Sequence, residues 1–139
     1  MEILLDLLEE IISSGEKVCI FSRFSKMQNI ISQLVVKEAQ KPNNIFKGIK
    51  LAYIRGDLSS DIRYQEIQNF KTKDEYKILC CSNAATEGVN LSNCKYMIEI
   101  DLAESYALQT QRHGRLERAD SIHDTIFVYQ LITKIVGMK

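Results

Sequence analysis

The sequence predicts an α/β fold, a mainly parallel sheet of about five or more strands with helices on both faces. Three observations predict it. Short apolar runs alternate with stretches whose apolar residues recur at helical spacing. The first run, Lys17 to Ser22 (Lys-Val-Cys-Ile-Phe-Ser), is apolar at successive positions, as a strand buried on both faces requires. Polar clusters then fall where the runs end, at Ser22-Arg23-Phe24, Arg55-Gly56-Asp57, Ser82 to Asn90, and Asp101. In open α/β sheets ligands sit beyond the carboxyl ends of the strands, so four polar clusters there argue for a site.

Each element has its own justification. Leu4, Leu7, Leu8, Ile11 and Ile12 recur at helical spacing, and Ser13-Ser14-Gly15 closes that helix. After the first strand, Ser25-Lys-Met-Gln28 has the form of a capping box, and Met27, Ile30, Ile31, Leu34 and Val35 continue as a helix. Lys41-Pro42-Asn43-Asn44 is a loop. Ile49 to Arg55 reads as a second strand. Gly56 to Ser60 breaks it and supplies a serine N-cap for a helix ending near Phe70, with Ile62, Ile67 and Phe70 inward. Tyr76 to Ser82 is a third strand, Tyr96 to Asp101 a fourth and Thr125 to Ile132 a fifth. Between the last two, residues from 105 to about 117 read as a helix. Thr133 to Lys139 has no clear reading.

Composition bounds the function. At 139 residues the chain is one domain with room for a real core. Eighteen basic residues balance eighteen acidic ones, which argues against nucleic-acid binding by the whole surface and leaves a local patch open. The four cysteines (Cys19, Cys80, Cys81, Cys94) include no Cys-x-x-Cys pair, and the only histidines are His113 and His123. Buried thiols, not a zinc site, are expected. There is no signal-type start and no apolar run long enough to span a bilayer. An intracellular protein, in a prokaryotic or virus-infected cytoplasm or in a nucleus, is expected.

The chemistry concentrates in Gln111-Arg112-His113-Gly114-Arg115-Leu116-Glu117-Arg118. On a helix, Gln111, Arg115 and Arg118 fall at i, i+4 and i+7 on one face. Two guanidinium forks one turn apart suit the oxygens of a terminal phosphate. Gly114 weakens the helix by about 1 kcal/mol against alanine, which makes sense if something approaches the backbone there. The alternative is a solvated basic face. His113 reads as a packing or hydrogen-bonding residue rather than a base. Phe24 reads as core, with base stacking as the alternative. Ser82 to Leu91 is a loop of small and polar residues that lets a nucleotide or strand backbone come close. There is no Gly-x-x-x-x-Gly-Lys-Ser/Thr, and no Asp-Glu pair at a strand end to hold magnesium. Arginines able to act on a phosphate, with nothing to hold the nucleotide, make a half-site. The other half must come from another domain or chain.

From Lys17 to Ile132 the chain resembles the second, C-terminal RecA-like domain of superfamily-two helicases, most of all the Swi/Snf-type DNA translocases. Val-Cys-Ile-Phe-Ser22-Arg23-Phe24 resembles motif IV, Ser82 to Leu91 motif V, and Gln111 to Arg118 motif VI. Tyr53-Ile54-Arg55-Gly56, Arg63 and Phe70 stand at familiar offsets. Swi/Snf members usually carry Gly-Gly where Ala85-Thr86 stands, a non-glycine residue at Gly114 and a histidine at Glu117. The resemblance implies a three-layer RecA-like fold and an ATP-dependent DNA translocase or helicase. Arg115 and Arg118 would be arginine fingers, with Gln111 coupling the site to the cleft. Glu87, Gly88 and Gly114 would lie near the nucleotide, and Ser22, Arg23, Gly56 and Ser82 along the nucleic-acid track. The implied cofactors are ATP and Mg2+, held mainly by a first RecA-like domain absent from this chain. The implied partners are that domain and double-stranded DNA, with no membrane, and the domain alone a monomer. The chain is then a fragment or tail of a longer protein, inactive alone. An RNA helicase lobe and a non-catalytic binding module are the alternatives.

Overall fold

A computed structural model of the chain describes residues 2–82, 90–91, 94–101, 105–116 and 125–131. Among them the elements run α1 (Glu2–Ser13), β1 (Val18–Ser22), α2 (Lys26–Ala39), β2 (Lys50–Ile54), α3 (Ser60–Thr72), β3 (Tyr76–Ser82), β4 (Tyr96–Glu99), α4 (Tyr106–Gly114) and β5 (Phe127–Gln130). The five strands form one parallel sheet in the order β2-β3-β1-β4-β5. Strand β1 lies at the centre, with Val18 to Ser22 opposite Ile78 to Ser82 of β3, and Val18 to Phe21 opposite Tyr96 to Glu99 of β4.

The doubly apolar strands make two cores because successive side chains point to opposite faces. Val18, Ile20, Ile78, Cys80 and Ile98 meet Leu4, Leu8, Ile11 and Ile12 of α1 and Ile31 and Val35 of α2. Cys19, Phe21, Leu79, Cys81 and Met97 face the other way, toward Phe70 of α3 and Leu91, Cys94 and Leu116. Cys80 and Cys81 therefore serve opposite cores, and all four cysteines are free and buried. Burial pushes the Cys80 thiol up to about 12 and raises those of Cys19 and Cys81 as well. Among the described residues no group of histidine, cysteine or acidic side chains could hold a metal ion, and no helix is long and apolar enough to cross a membrane.

Local chemistry explains most of the boundaries. Gly15, at φ 86°, closes α1 in the left-handed region, its amide on the Ile12 carbonyl at 3.0 Å. Ser59 caps α3, its hydroxyl accepting from the Ile62 amide at 3.3 Å. At the other end of α3, the Lys17 ammonium donates to the carbonyls of Phe70 and of Lys73, the latter at 2.8 Å, where a cation meets the negative end of the helix.

Several expectations need correcting. The capping box does not form. Ser25 is itself helical (φ −63°, ψ −23°) and its hydroxyl makes no cap bond. Gln28 instead turns inward, buried, and its amide donates to the carbonyls of Ile54 (3.1 Å) and Cys80 (3.4 Å). Ile62, in the first turn of α3, is exposed. Ile30 is exposed too, at the edge of the α2 stripe. Strand β4 stops at Glu99, because Asp101 turns back toward β1. Strand β5 spans only Phe127–Gln130.

Candidate functional site

Because every strand runs the same way, Ser22, Arg55, Ser82 and Asp101, at the described strand ends, collect along one edge of the sheet. Ser22 and Ser82 are register partners at the ends of β1 and β3, both buried. The Ser82 hydroxyl is 3.4 Å from the Ile54 carbonyl, which accepts from it. Gly56 lies beyond β3, in an exposed turn after β2 whose flanking Arg55 and Asp57 pair at 3.3 Å.

Asp101 joins the end of β4 to the turn after β1. Its carboxylate accepts from the Ser22 hydroxyl at 2.6 Å and from the Arg23 amide at 2.8 Å. The Ser22 hydroxyl in turn accepts from the Phe24 amide at 3.1 Å. This closed turn throws the side chains of Arg23 and Phe24 outward. Phe24 is 55% exposed rather than core, with the Arg23 guanidinium 5.1 Å from its ring centre. A flat cation on an exposed ring at a strand end is a surface that nucleotide bases and phosphates can use.

Helix α4 comes next. Ser105 caps it, accepting from the Leu108 amide at 3.2 Å. One face of α4 is anchored to the sheet. Arg112, 2% exposed, donates to Glu99 at 3.0 Å, to the Asp101 carbonyl at 2.6 Å and to the Asp101 carboxylate at 3.3 Å. Its guanidinium also lies 5.8 Å from the centre of the Phe21 ring. Nε2 of His113 is 2.9 Å from Glu99, which is wholly buried and also accepts from Gln109 and from Gln130 of β5 (3.2 Å). Burial raises the Glu99 carboxyl, but donors from His113, Arg112, Gln130 and Gln109 outweigh it and hold it below its ordinary 4.5.

That shift has a sign for stability. The unfolded carboxylate binds its proton first, so the Glu99 contribution is complete above about pH 5 and is lost as pH falls through the lower folded value. Wild type is therefore expected to lose stability more steeply than Glu99→Gln below about pH 4.5, in urea melts collected from neutral to acid pH.

The other face of α4 stays available. Gln111 is exposed, and Arg115 is half-buried at the helix C-cap. Nε of Arg115 is buried with no hydrogen-bond partner among the described residues. The Arg115 carbonyl accepts from the Leu91 amide at 2.8 Å, so the end of the small-residue loop and the end of α4 are joined through backbone. A Cβ at Gly114 would meet nothing within 4 Å, so no group among the described residues explains the glycine. Gly114→Ala is expected to raise the stability of the chain by about 0.5–1 kcal/mol in denaturant melts, since the helix gains and nothing clashes. Glu87, Gly88 and Arg118 lie outside the described residues.

Sequence reasoning thus found the edge, and Gln111 and Arg115 on one open face of α4. It missed Glu99 as the acceptor beneath the helix. The available signal was a lone carboxylate inside an apolar strand, Tyr-Met-Ile-Glu-Ile, on the face that Met97 shares.

Comparison with known proteins completes the picture. The model of the helicase conserved C-terminal domain matches residues 1–120. The chain is 26% identical over 131 residues to DEAD-box ATP-dependent RNA helicase 24 of Oryza sativa subsp. japonica, which covers 94% of this chain and 15% of that protein. It is 31% identical over 72 residues to ATP-dependent RNA helicase DRS1 of Eremothecium gossypii, over 52% of this chain and 10% of that protein. Among solved structures, the C-terminal part of the Fun30 ATPase domain superposes with a TM-score of 0.81 at 24% identity, covering 96% of this chain and 40% of that one. The Sulfolobus solfataricus SWI2/SNF2 ATPase core in complex with dsDNA gives 0.69 at 23% identity, covering 93% and 25%. The chain therefore spans a small part of these relatives. The five-stranded parallel sheet is the RecA-like fold of their C-terminal lobes, of the kind found in Swi/Snf-type ATPases. With the fold and the matched model in agreement, the chain belongs to the helicase conserved C-terminal domain family, as a C-terminal helicase lobe.

Proposed function

We propose that this lobe works in an ATP-driven translocase on double-stranded DNA, facing a P-loop-bearing first lobe. The observation that carries the reading is the two-sided helix α4. One face is tied to Glu99 and Asp101, and the other offers Gln111 and Arg115, whose buried Nε has no partner among the described residues. An orphaned cationic donor fits an incoming anion such as a terminal phosphate. ATP with Mg2+, held mainly by the first lobe, supplies the phosphoryl group and the charge on its oxygens.

In this reading Arg115 and, by its place in the sequence, Arg118 meet that charge, and Gln111 links it to the cleft. Gly114, Glu87 and Gly88 stay close to the nucleotide. Along the strand ends, exposed Arg23 and Gly56 meet nucleic-acid phosphates, while buried Ser22 and Ser82 shape the turns that present them. The resemblance to a SWI2/SNF2 core solved with dsDNA supports duplex DNA. A second reading, an RNA helicase lobe, is supported by the names of the curated relatives.

The test is ATP turnover. The 139-residue chain alone is expected at background, because it has no P-loop. A polypeptide carrying both lobes is expected to turn over ATP, more with duplex DNA than with RNA. Steady turnover by the single lobe would sink the half-site idea. Stimulation by RNA alone would move the protein to the second reading.

A further inference from the structure

We infer that Glu99 is a positioning residue: it fixes the rotation of α4 about its own axis and thereby aims Arg115. The inference rests on the proposed role of Arg115 at a phosphate, and it adds a residue that the motifs do not contain.

Gln109, Arg112 and His113 stand at i, i+3 and i+4, on one face of α4, and all three reach the Glu99 carboxylate. Gln111 and Arg115 stand at i and i+4 on another face, roughly 130° round the axis at about 100° per residue. Turning the helix by one residue would move Arg115 a quarter-turn or more and take its partners off Glu99. Within α4 the one buried residue is Arg112, so apolar packing there resists such a turn weakly; buried Leu116 and the Leu91–Arg115 backbone bond hold only the C-terminal end. Directional bonds to a single acceptor resist it strongly. Glu99 also takes a bond from Gln130, its register partner on β5, so the acceptor cannot swing away with the helix.

The identity of residue 99 sharpens the argument. The side chain is wholly buried, on the sheet face that Met97 packs into the core. An apolar residue there would avoid the desolvation of a carboxylate, and buried ion pairs are often no more stable than apolar replacements. What only the carboxylate supplies is a fixed direction, through two oxygens that accept from four side chains.

The first measurement uses the 139-residue chain and needs no variant. Nitrogen spectra of the imidazoles, with only His113 and His123 to assign, are expected to show His113 holding its proton on Nε2. An Nδ1–H or tautomer-averaged His113 overturns the latch. In Glu99→Gln, amide shifts are expected to move most between Gln109 and Leu116 and little in β2 and α3. Shifts spread evenly over the sheet, or absent from α4, overturn it too. The second measurement is turnover in a polypeptide that carries both lobes. Glu99→Gln is expected to lower kcat at least tenfold with KM for ATP within twofold, because the arginine is misaimed and the nucleotide is held elsewhere. An unchanged kcat, or a KM that rises in step, overturns the positioning role. If the wild-type two-lobe protein shows no turnover, the functional reading fails, and the spectra of the single lobe decide the latch by themselves.

Discussion

Arg112→Ala is expected to destabilise the chain by about 3–5 kcal/mol at neutral pH, the cost of removing one partner of a buried ion pair. The size follows from what is left behind. Arg112 is 2% exposed and stands between two carboxylates, Glu99 and Asp101. Truncation leaves Glu99 charged and wholly buried, with His113 and neutral amides around it. It also removes the cap on the Asp101 carbonyl and opens a cavity against Phe21. Arg112→Lys keeps a charge but loses the planar fork that spans both acceptors, so its effect is expected to lie between wild type and alanine. Urea melts decide the matter through the midpoint at constant slope. A loss under about 1 kcal/mol would mean that water reaches this network and relieves it.

The second large effect concerns chemistry and leaves the fold alone. In a protein carrying both lobes, Arg115→Ala is expected to lower nucleic-acid-stimulated ATP turnover by about 10³–10⁵-fold, the range that fingers of this kind contribute in phosphoryl transfer. Stability should fall far less than for Arg112→Ala, because among the described residues Nε of Arg115 has no hydrogen-bond partner to lose and the backbone bond from Leu91 survives the substitution. That separation distinguishes Arg115 from Arg112, three residues earlier on the same helix. Arg115→Lys restores charge without the fork and is expected to recover little of the rate. Turnover within tenfold of wild type for Arg115→Ala would remove the residue from the phosphate site.

The legible parts of this molecule are those governed by local periodicity. Doubly apolar strands announced a parallel sheet, and the residues just after each run marked the working edge, because a parallel sheet sends every strand end the same way. The helical spacing of Gln111 and Arg115 was legible for the same reason. What stayed hidden depends on contacts remote in sequence. Gln28 looked like half of a capping box, yet two carbonyls from β2 and β3 hold it in the interior. Arg112 stood in a basic run with no partner in view, and His113 read as a hydrogen-bonding residue without its acceptor. Their role became visible only when α4 was laid across β4 and a carboxylate thirteen or fourteen residues upstream lay beneath them. Phe24 was expected inside and stands outside, because Asp101 closes the turn under it.

The four buried thiols have a practical consequence. A thiol must meet solvent as thiolate before it can be alkylated. Cys80 and Cys81 serve opposite faces of β3, Cys19 lies in the central strand, and Cys94 precedes β4. Labelling of these positions therefore waits for the sheet to open, and the rate at each cysteine clocks the opening of its own neighbourhood. Mass spectrometry after timed alkylation would show whether the sheet opens as one unit or strand by strand. The chain carries the reporters for that experiment in its own sequence.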